Sequence, residues 1–175
     1  MRPRNPQFVK KLRIFAACLA GFLTAGVTAC SAPMRDGGET SGGAPTFVSL
    51  NPCTDAILAE VADPQQILAL SHYSSDPDAT SLGTERAAQF GMTGGTVEEV
   101  LALQPDIVLA GSFMAPATKN ALVSLDLDPV TFGIASDAET SAAQIRQIAT
   151  LAGHKARGEA LIARIDDALA SVAET

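Results

Sequence analysis

The chain has 175 residues, 47% apolar and 18% charged, with a formal net charge of −7; this is the composition of a globular protein of one or two small domains, not of a disordered chain. The charge is unevenly placed: residues 1–13 hold five bases (Arg2, Arg4, Lys10, Lys11, Arg13) and no acid, so the remainder sets seven bases against all 19 acids, a net of −12. A surface of that sign repels phosphate backbones and excludes nucleic acid as a partner.

Behind the basic run, IFAACLAGFLTAGV (14–27) carries no charge, and Ile14 to Ala29 spans 16 residues, short of the roughly 20 that a membrane-crossing helix needs. A basic start, an apolar centre and small residues before a cut site describe a secretory signal over residues 1–29. Val27-Thr28-Ala29-Cys30 also resembles the bacterial lipobox, which makes Cys30 a lipid-carrying first residue; the alternative is ordinary cleavage after Ala29, leaving Cys30 a thiol. With Cys18 in the signal and Cys30 as anchor, Cys53 has no disulfide partner, so stability must come from a core. Residues 30–45 (CSAPMRDGGETSGGAP) lack apolar periodicity and read as a tether, with an r.m.s. reach of roughly 20 Å.

From residue 46 strand and helix signals alternate. TFVSL (46–50) is a short β-rich run, and NPCTDAILAEVADP follows with Ile57, Leu58 and Val61 on one helical face and Asp63-Pro64 as its stop. ILALS (67–71) is a second strand; residues 72–95 show no readable regular structure. Thr96-x-x-Glu99 is a capping box opening a helix that Pro105 ends by biasing Gln104 out of it. IVLA (107–110) is apolar on both faces, as a covered parallel strand requires. A helix over 115–124 and a strand over 129–134 come next. Ser136-x-x-Glu139 then reads as a second capping box, opening a helix that carries Ile145, Ile148 and Leu151 and ends at Gly153, with His154 beside its C-terminal dipole. GEALIARIDDALASV spaces Leu161, Ile165, Ala168, Leu169 and Val172 helically. The alternation predicts an α/β fold, a mostly parallel sheet flanked by helices.

In such a sheet, ligands bind beyond the carboxyl ends of the strands. Those ends carry Asn51-Pro52, His72-Tyr73-Ser74-Ser75 and Gly111-Ser112-Phe113-Met114. Tyr73 is the single tyrosine and there is no tryptophan. A loop of one aromatic face and several donors suits a large, partly polar ligand; the other reading is a solvated loop whose tyrosine covers its own domain. Enzyme signals are sparse: G-x-G-x-x-G after a strand, Walker A and G-x-S-x-G are all missing. Cys53 near a helix start, with His72 across the strand ends, is the one nucleophile arrangement to weigh, and a small buried cysteine is the plainer reading. Two histidines and no cysteine pair give no structural zinc site.

Three stretches in order, TFVSLNP (46–52), ILALSHYS (67–74) and GGTVEEVLALQPDIVLA (94–110), resemble the N-terminal lobe of class III periplasmic solute-binding proteins, the binders of cobalamin, ferric siderophores and haem for ABC importers. The resemblance implies a Rossmann-like lobe over residues 46–153, then from residue 154 the start of a long helix linking it to a second lobe; by the same resemblance the sequence stops at Thr175 within that helix and leaves the second lobe out. It implies no chemistry and no cofactor, since the ligand itself would contain the iron or cobalt. Its partners would be that metal chelate, the importer's membrane subunits, and a membrane reached through lipid on Cys30 at the periplasmic side of the cell envelope. Carried over, Tyr73 matches a tyrosine that lines the cleft, Asn51 and Pro52 the first strand-end loop, and Met92 a ligand-contacting position; His72, Ser74, Ser112, Phe113 and Met114 complete the expected contacts. Glu98 matches a glutamate that pairs with arginine on the membrane subunit; a first-turn acid favoured by the helix dipole is the alternative. A haem ligand would take an axial bond from Tyr73, His72 or Met92, and a siderophore ranks ahead of haem on sequence alone. A small envelope α/β enzyme using Cys53 and a lobe that binds nothing are the competing functions.

Overall fold

The computed structural model describes residues 43–173; the expected signal sequence, Cys30 and most of the expected tether lie outside the described residues. Five strands, β1 (Phe47–Ser49), β2 (Ile67–Ser71), β3 (Met92–Thr93), β4 (Ile107–Gly111) and β5 (Val130–Phe132), form one sheet in the order β3-β2-β1-β4-β5. Every pairing is parallel. Between and after them run α1 (Pro52–Val61), α2 (Thr84–Ala87), α3 (Val97–Leu103), α4 (Pro116–Val123), α5 (Ala138–Leu151) and α6 (Lys155–Ala173).

The sheet is buried on both faces because its strands are apolar in both registers. Along β1 and β4 successive side chains go to opposite layers. Phe47 and Leu109 join Leu58, Val61, Ile148 and Ala149 on the face covered by α1 and α5. Val48 and Val108 join Val100 and Leu122 on the face covered by α3 and α4.

Helix ends follow local chemistry. Asn51 caps α1 by accepting the Cys53 N–H at 2.8 Å, with Pro52 pre-set at the first helical position. Thr96 and Glu99 form the expected capping box of α3, and the Thr96 N–H helps hold the Glu99 carboxyl below its ordinary range. Gln104 leaves that helix as expected, but in the left-handed region (φ 50°) instead of the extended one.

Two expectations are corrected. The cap of α5 is Asp137, not Ser136: the Asp137 carboxylate accepts the Thr140 N–H at 2.7 Å, and the Ser136 hydroxyl donates to that same carboxylate. A charged acceptor one residue further on outcompetes the hydroxyl. His154 follows the end of α5, its N–H donating to the Ala149 carbonyl at 2.8 Å and its Nε2 lying 3.0 Å from Gln66 Oε1 and 3.2 Å from Asp63 Oδ2. Residues 72–95 hold a 3-10 turn at His72–Ser75, α2 and edge strand β3, elements too short to show a period.

α6 packs back on the lobe through its first half. Gly158 and Ile162 are buried, Leu161 and Ile165 are half-buried, and Leu169 and Val172 are exposed. Arg157 pairs with Asp63 at 2.8 Å and Arg164 pairs with Glu60. A Cβ at Gly158 would stand 2.6 Å from Ala149 Cβ, so the missing side chain sets the α5–α6 distance. Gly158→Val is expected to lower unfolding free energy by about 1–3 kcal/mol in urea titration; a wild-type midpoint would show that the two helices separate freely.

Candidate functional site: the carboxyl edge of the sheet

Because all strands are parallel, their five carboxyl ends share one edge. β1 is the strand at which the order reverses: β2 and β3 extend the sheet to one side, β4 and β5 to the other. The crevice outside such a reversal is where open α/β sheets bind ligands. Here it is a cavity of about 630 Å³ whose wall includes Leu50, Asn51, Pro52, Cys53, Tyr73, Phe113, Phe132 and the segment Gly133-Ile134-Ala135. A second hollow of about 230 Å³ adjoins it, lined by His72, Thr93, Gly94, Gly95, Gly111 and Met114 among others; Leu50, Tyr73 and Phe113 line both.

The aromatic wall between them is exposed, with Phe113 71% and Tyr73 49% accessible, and Ile134 stands 84% accessible across the larger hollow. Exposed apolar side chains gathered at a concave edge mark a surface that meets something apolar. The two aromatic rings are held by their neighbours. A Cβ at Gly111 would meet the Phe113 ring at 2.7 Å and Asn51 Nδ2 at 2.8 Å, so glycine lets the ring fold over the end of β4. Tyr73 stacks on His72 with ring centroids 4.0 Å apart.

The turn beneath Tyr73 rests on Asp55, which is fully buried. Its Oδ2 accepts the Ser71 N–H at 3.0 Å, the Ser71 hydroxyl at 2.5 Å and the Ser74 hydroxyl at 2.7 Å. Burial pushes the Asp55 carboxyl up to about 6 against the downward pull of these bonds. The folded protein therefore takes up this proton more readily than the unfolded chain. Stability from the group is present at low pH and is lost as pH rises from about 4 through about 6, by up to about 3 kcal/mol.

The structure gathers most of the expected contacts and disperses others. Asn51, Pro52, His72, Tyr73, Phe113 and Met114 line the two hollows. Ser74 does not: it is fully buried, its hydroxyl turned onto Asp55. Ser112 is exposed beside the hollows and lines neither; its N–H donates to the Phe132 carbonyl at 2.8 Å. Met92 pairs with Leu70 in the edge strand and also lines neither, its place being taken by Thr93, Gly94 and Gly95. Glu98 lies exposed in the first turn of α3, away from both hollows. Cys53 is exposed in the larger hollow and His72 lines the smaller, with no hydrogen bond between them among the described residues. Sequence reasoning missed Leu50 and Gly133-Ile134-Ala135. The strand-end rule could have found the latter, had β5 been ended at Phe132 instead of carried through residue 134.

Asp55→Asn isolates the acid-dependent stability. The wild type is expected to gain on this variant by up to about 3 kcal/mol at pH 4 relative to pH 7 in urea denaturation; an equal gap at both values contradicts the assignment.

Comparison with known proteins agrees with this architecture. The periplasmic binding protein family matches residues 47–175. No curated protein matches the chain. Solved structures of similar fold include a periplasmic heme-binding protein from Pseudomonas aeruginosa, with 19% identity, a TM-score of 0.62, and coverage of 74% of this chain and 46% of that one. A possible iron-binding periplasmic solute-binding protein from Staphylococcus epidermidis has 17% identity, a TM-score of 0.56, and coverage of 71% and 49%. The periplasmic heme-binding protein HutB of Vibrio cholerae has 17% identity, a TM-score of 0.57, and coverage of 76% and 51%. The chain thus spans about half the length of these solved proteins. It belongs to the periplasmic binding protein family, in which it corresponds to the N-terminal α/β lobe.

Proposed function

We propose that this chain is the solute-capturing lobe of an ABC importer and that the carboxyl edge of its sheet holds a bulky iron or cobalt chelate. The observation that carries the reading is the apolar hollow of about 630 Å³ at the strand reversal, walled by Tyr73, Phe113 and Ile134. A flat macrocycle would stack against such a wall and cover it from water. Haem, ferric siderophores and cobalamin all have the bulk for it. The heme named for the Pseudomonas and Vibrio proteins moves haem ahead of the siderophore favoured on sequence alone. If haem binds, an axial bond from Tyr73 or His72 is favoured over one from Met92, because the first two line the smaller hollow and Met92 does not.

The remaining parts of the reading concern delivery. A lipid on Cys30 and the tether after it would keep the lobe beside the membrane on the periplasmic side. Glu99 fills the capping role on α3, which leaves exposed Glu98 to meet an arginine of the importer's membrane subunit. Such a rim charge would guide encounter and orientation more than it adds affinity.

Titration of the full chain with haemin, cyanocobalamin and a ferric hydroxamate, followed by visible spectroscopy, tests the reading. A saturable spectral change is expected with one of them, haemin first. Phe113→Ala and Tyr73→Ala are each expected to weaken it about tenfold, equivalent to ~1.4 kcal/mol. No spectral change with all three chelates would reject the ligand class, and unchanged affinity in both variants would reject the site.

A further inference from the structure

Asp55 lies beneath the binding edge and touches none of the solvent in front of it, being 0% exposed in the first turn of α1. One oxygen of its carboxylate takes three donors, the Ser71 N–H, the Ser71 hydroxyl and the Ser74 hydroxyl. These donors bracket His72 and Tyr73 in the chain. The other oxygen, Oδ1, is buried without a hydrogen-bond partner.

We propose that Asp55 is a positioning residue for the ligand edge, its carboxylate fixing the 72–75 turn in the one conformation that presents Tyr73 to the cleft. This rests on the reading of that edge as the binding face. An ionised carboxylate is an acceptor only, and its charge strengthens each of the three bonds that converge on Oδ2. An aliphatic residue would leave two hydroxyls and an amide buried without an acceptor. An amide would put an NH2 group at one of the two carboxyl oxygens, either where three donors converge on Oδ2 or at Oδ1, which makes no hydrogen bond. An unneutralised buried charge is costly: the groups that act on the Asp55 carboxyl are Ser49, Ser71 and Ser74, with no cation among them. The cations that reach α1 from α2 and α6, Arg86 and Arg164, are taken by Glu60 on that helix, and Arg157 and His154 pair with Asp63 beyond its end. A costly group kept under a binding edge is what positioning requires and what simple packing does not.

The state of the carboxyl then sets the order of the turn. Ionised, Oδ2 receives charge-assisted bonds; protonated on Oδ1, it receives ordinary ones of roughly half the strength. Burial favours the protonated form and pushes the group up to about 6, while the Ser71 and Ser74 bonds favour the ionised one. Acidification through that value therefore relieves the cost of the buried charge, which raises global stability, and at the same time weakens the bonds that hold the turn.

The sequence supplies its own probe: with one tyrosine and no tryptophan, intrinsic fluorescence comes from Tyr73. Time-resolved anisotropy of the full chain would be recorded from about pH 4 to about pH 8 (about two pH units either side of the expected midpoint). A His72→Gln background removes the other ionisable ring that touches Tyr73. The amplitude of fast depolarisation is expected to rise about twofold on acidification in the Asp55 protein. In Asp55→Asn it is expected to be high and flat with pH, with far-UV circular dichroism unchanged. Ser74→Ala, which deletes one hydroxyl only, is expected to raise the amplitude part-way and serves if the Asp55 variant does not fold. Low, pH-independent amplitude in all three proteins overturns the proposal. Haemin affinity at pH 7 is measured alongside and is expected to fall about tenfold in Asp55→Asn. If the unaltered chain binds none of the three chelates, the proposed function fails while the anisotropy still decides whether Asp55 orders the turn.

Discussion

Parallel pairing is the constraint on which the rest of the molecule depends. Strands that all run one way oblige the chain to cross a face between them, so helices cover the sheet and its strands become apolar in both registers. The same arrangement obliges every strand to finish at one edge. Five loops meet there, and reversal of the strand order at β1 separates the loops of β1 and β4 enough to leave a hollow. The site is a product of topology before it is a product of particular side chains.

Side chains then give the edge its character. Apolar groups that would ordinarily be inside stand exposed on it, and the two aromatic ones are steadied by something buried. Phe113 lies over a glycine that has no room for a Cβ. Asn51 both caps α1 and approaches that glycine with its amide. Tyr73 rides on a turn clamped by a carboxylate without a cation. On the far side of α1, Glu60 and Asp63 bind arginines of α2 and α6. Exposed ion pairs of this kind contribute little individually, and their effect is to hold the first half of α6 in register with the lobe, alongside the close contact at Gly158.

What the sequence disclosed follows from the size of each signal. The long apolar runs of β2 and β4 and the capping box at Thr96 are strong local patterns, and they placed the sheet, its direction and half of the rim. β3 has two residues and α2 has four, lengths over which no periodicity can be seen. Their positions are set by pairing with β2, a tertiary event. Ser136 matched a capping pattern, yet Asp137 won the cap because a carboxylate is the stronger acceptor. Ser74 carried the right chemistry for a ligand contact, and only the fold shows that it faces inward to Asp55. The partners of that carboxylate are 16 and 19 residues away, beyond any local motif.

The central claim is that the carboxyl edge, and not another surface, receives the ligand. Amide NMR of the full chain titrated with haemin tests it most directly, because the ferric ion broadens signals near it. The account predicts broadening first at Leu50, Tyr73, Gly111 and Ile134, the ends of four separate strands brought together by the fold. Broadening centred on Gln66, Asp106 and Asp128, which precede β2, β4 and β5 at the opposite edge, would contradict it.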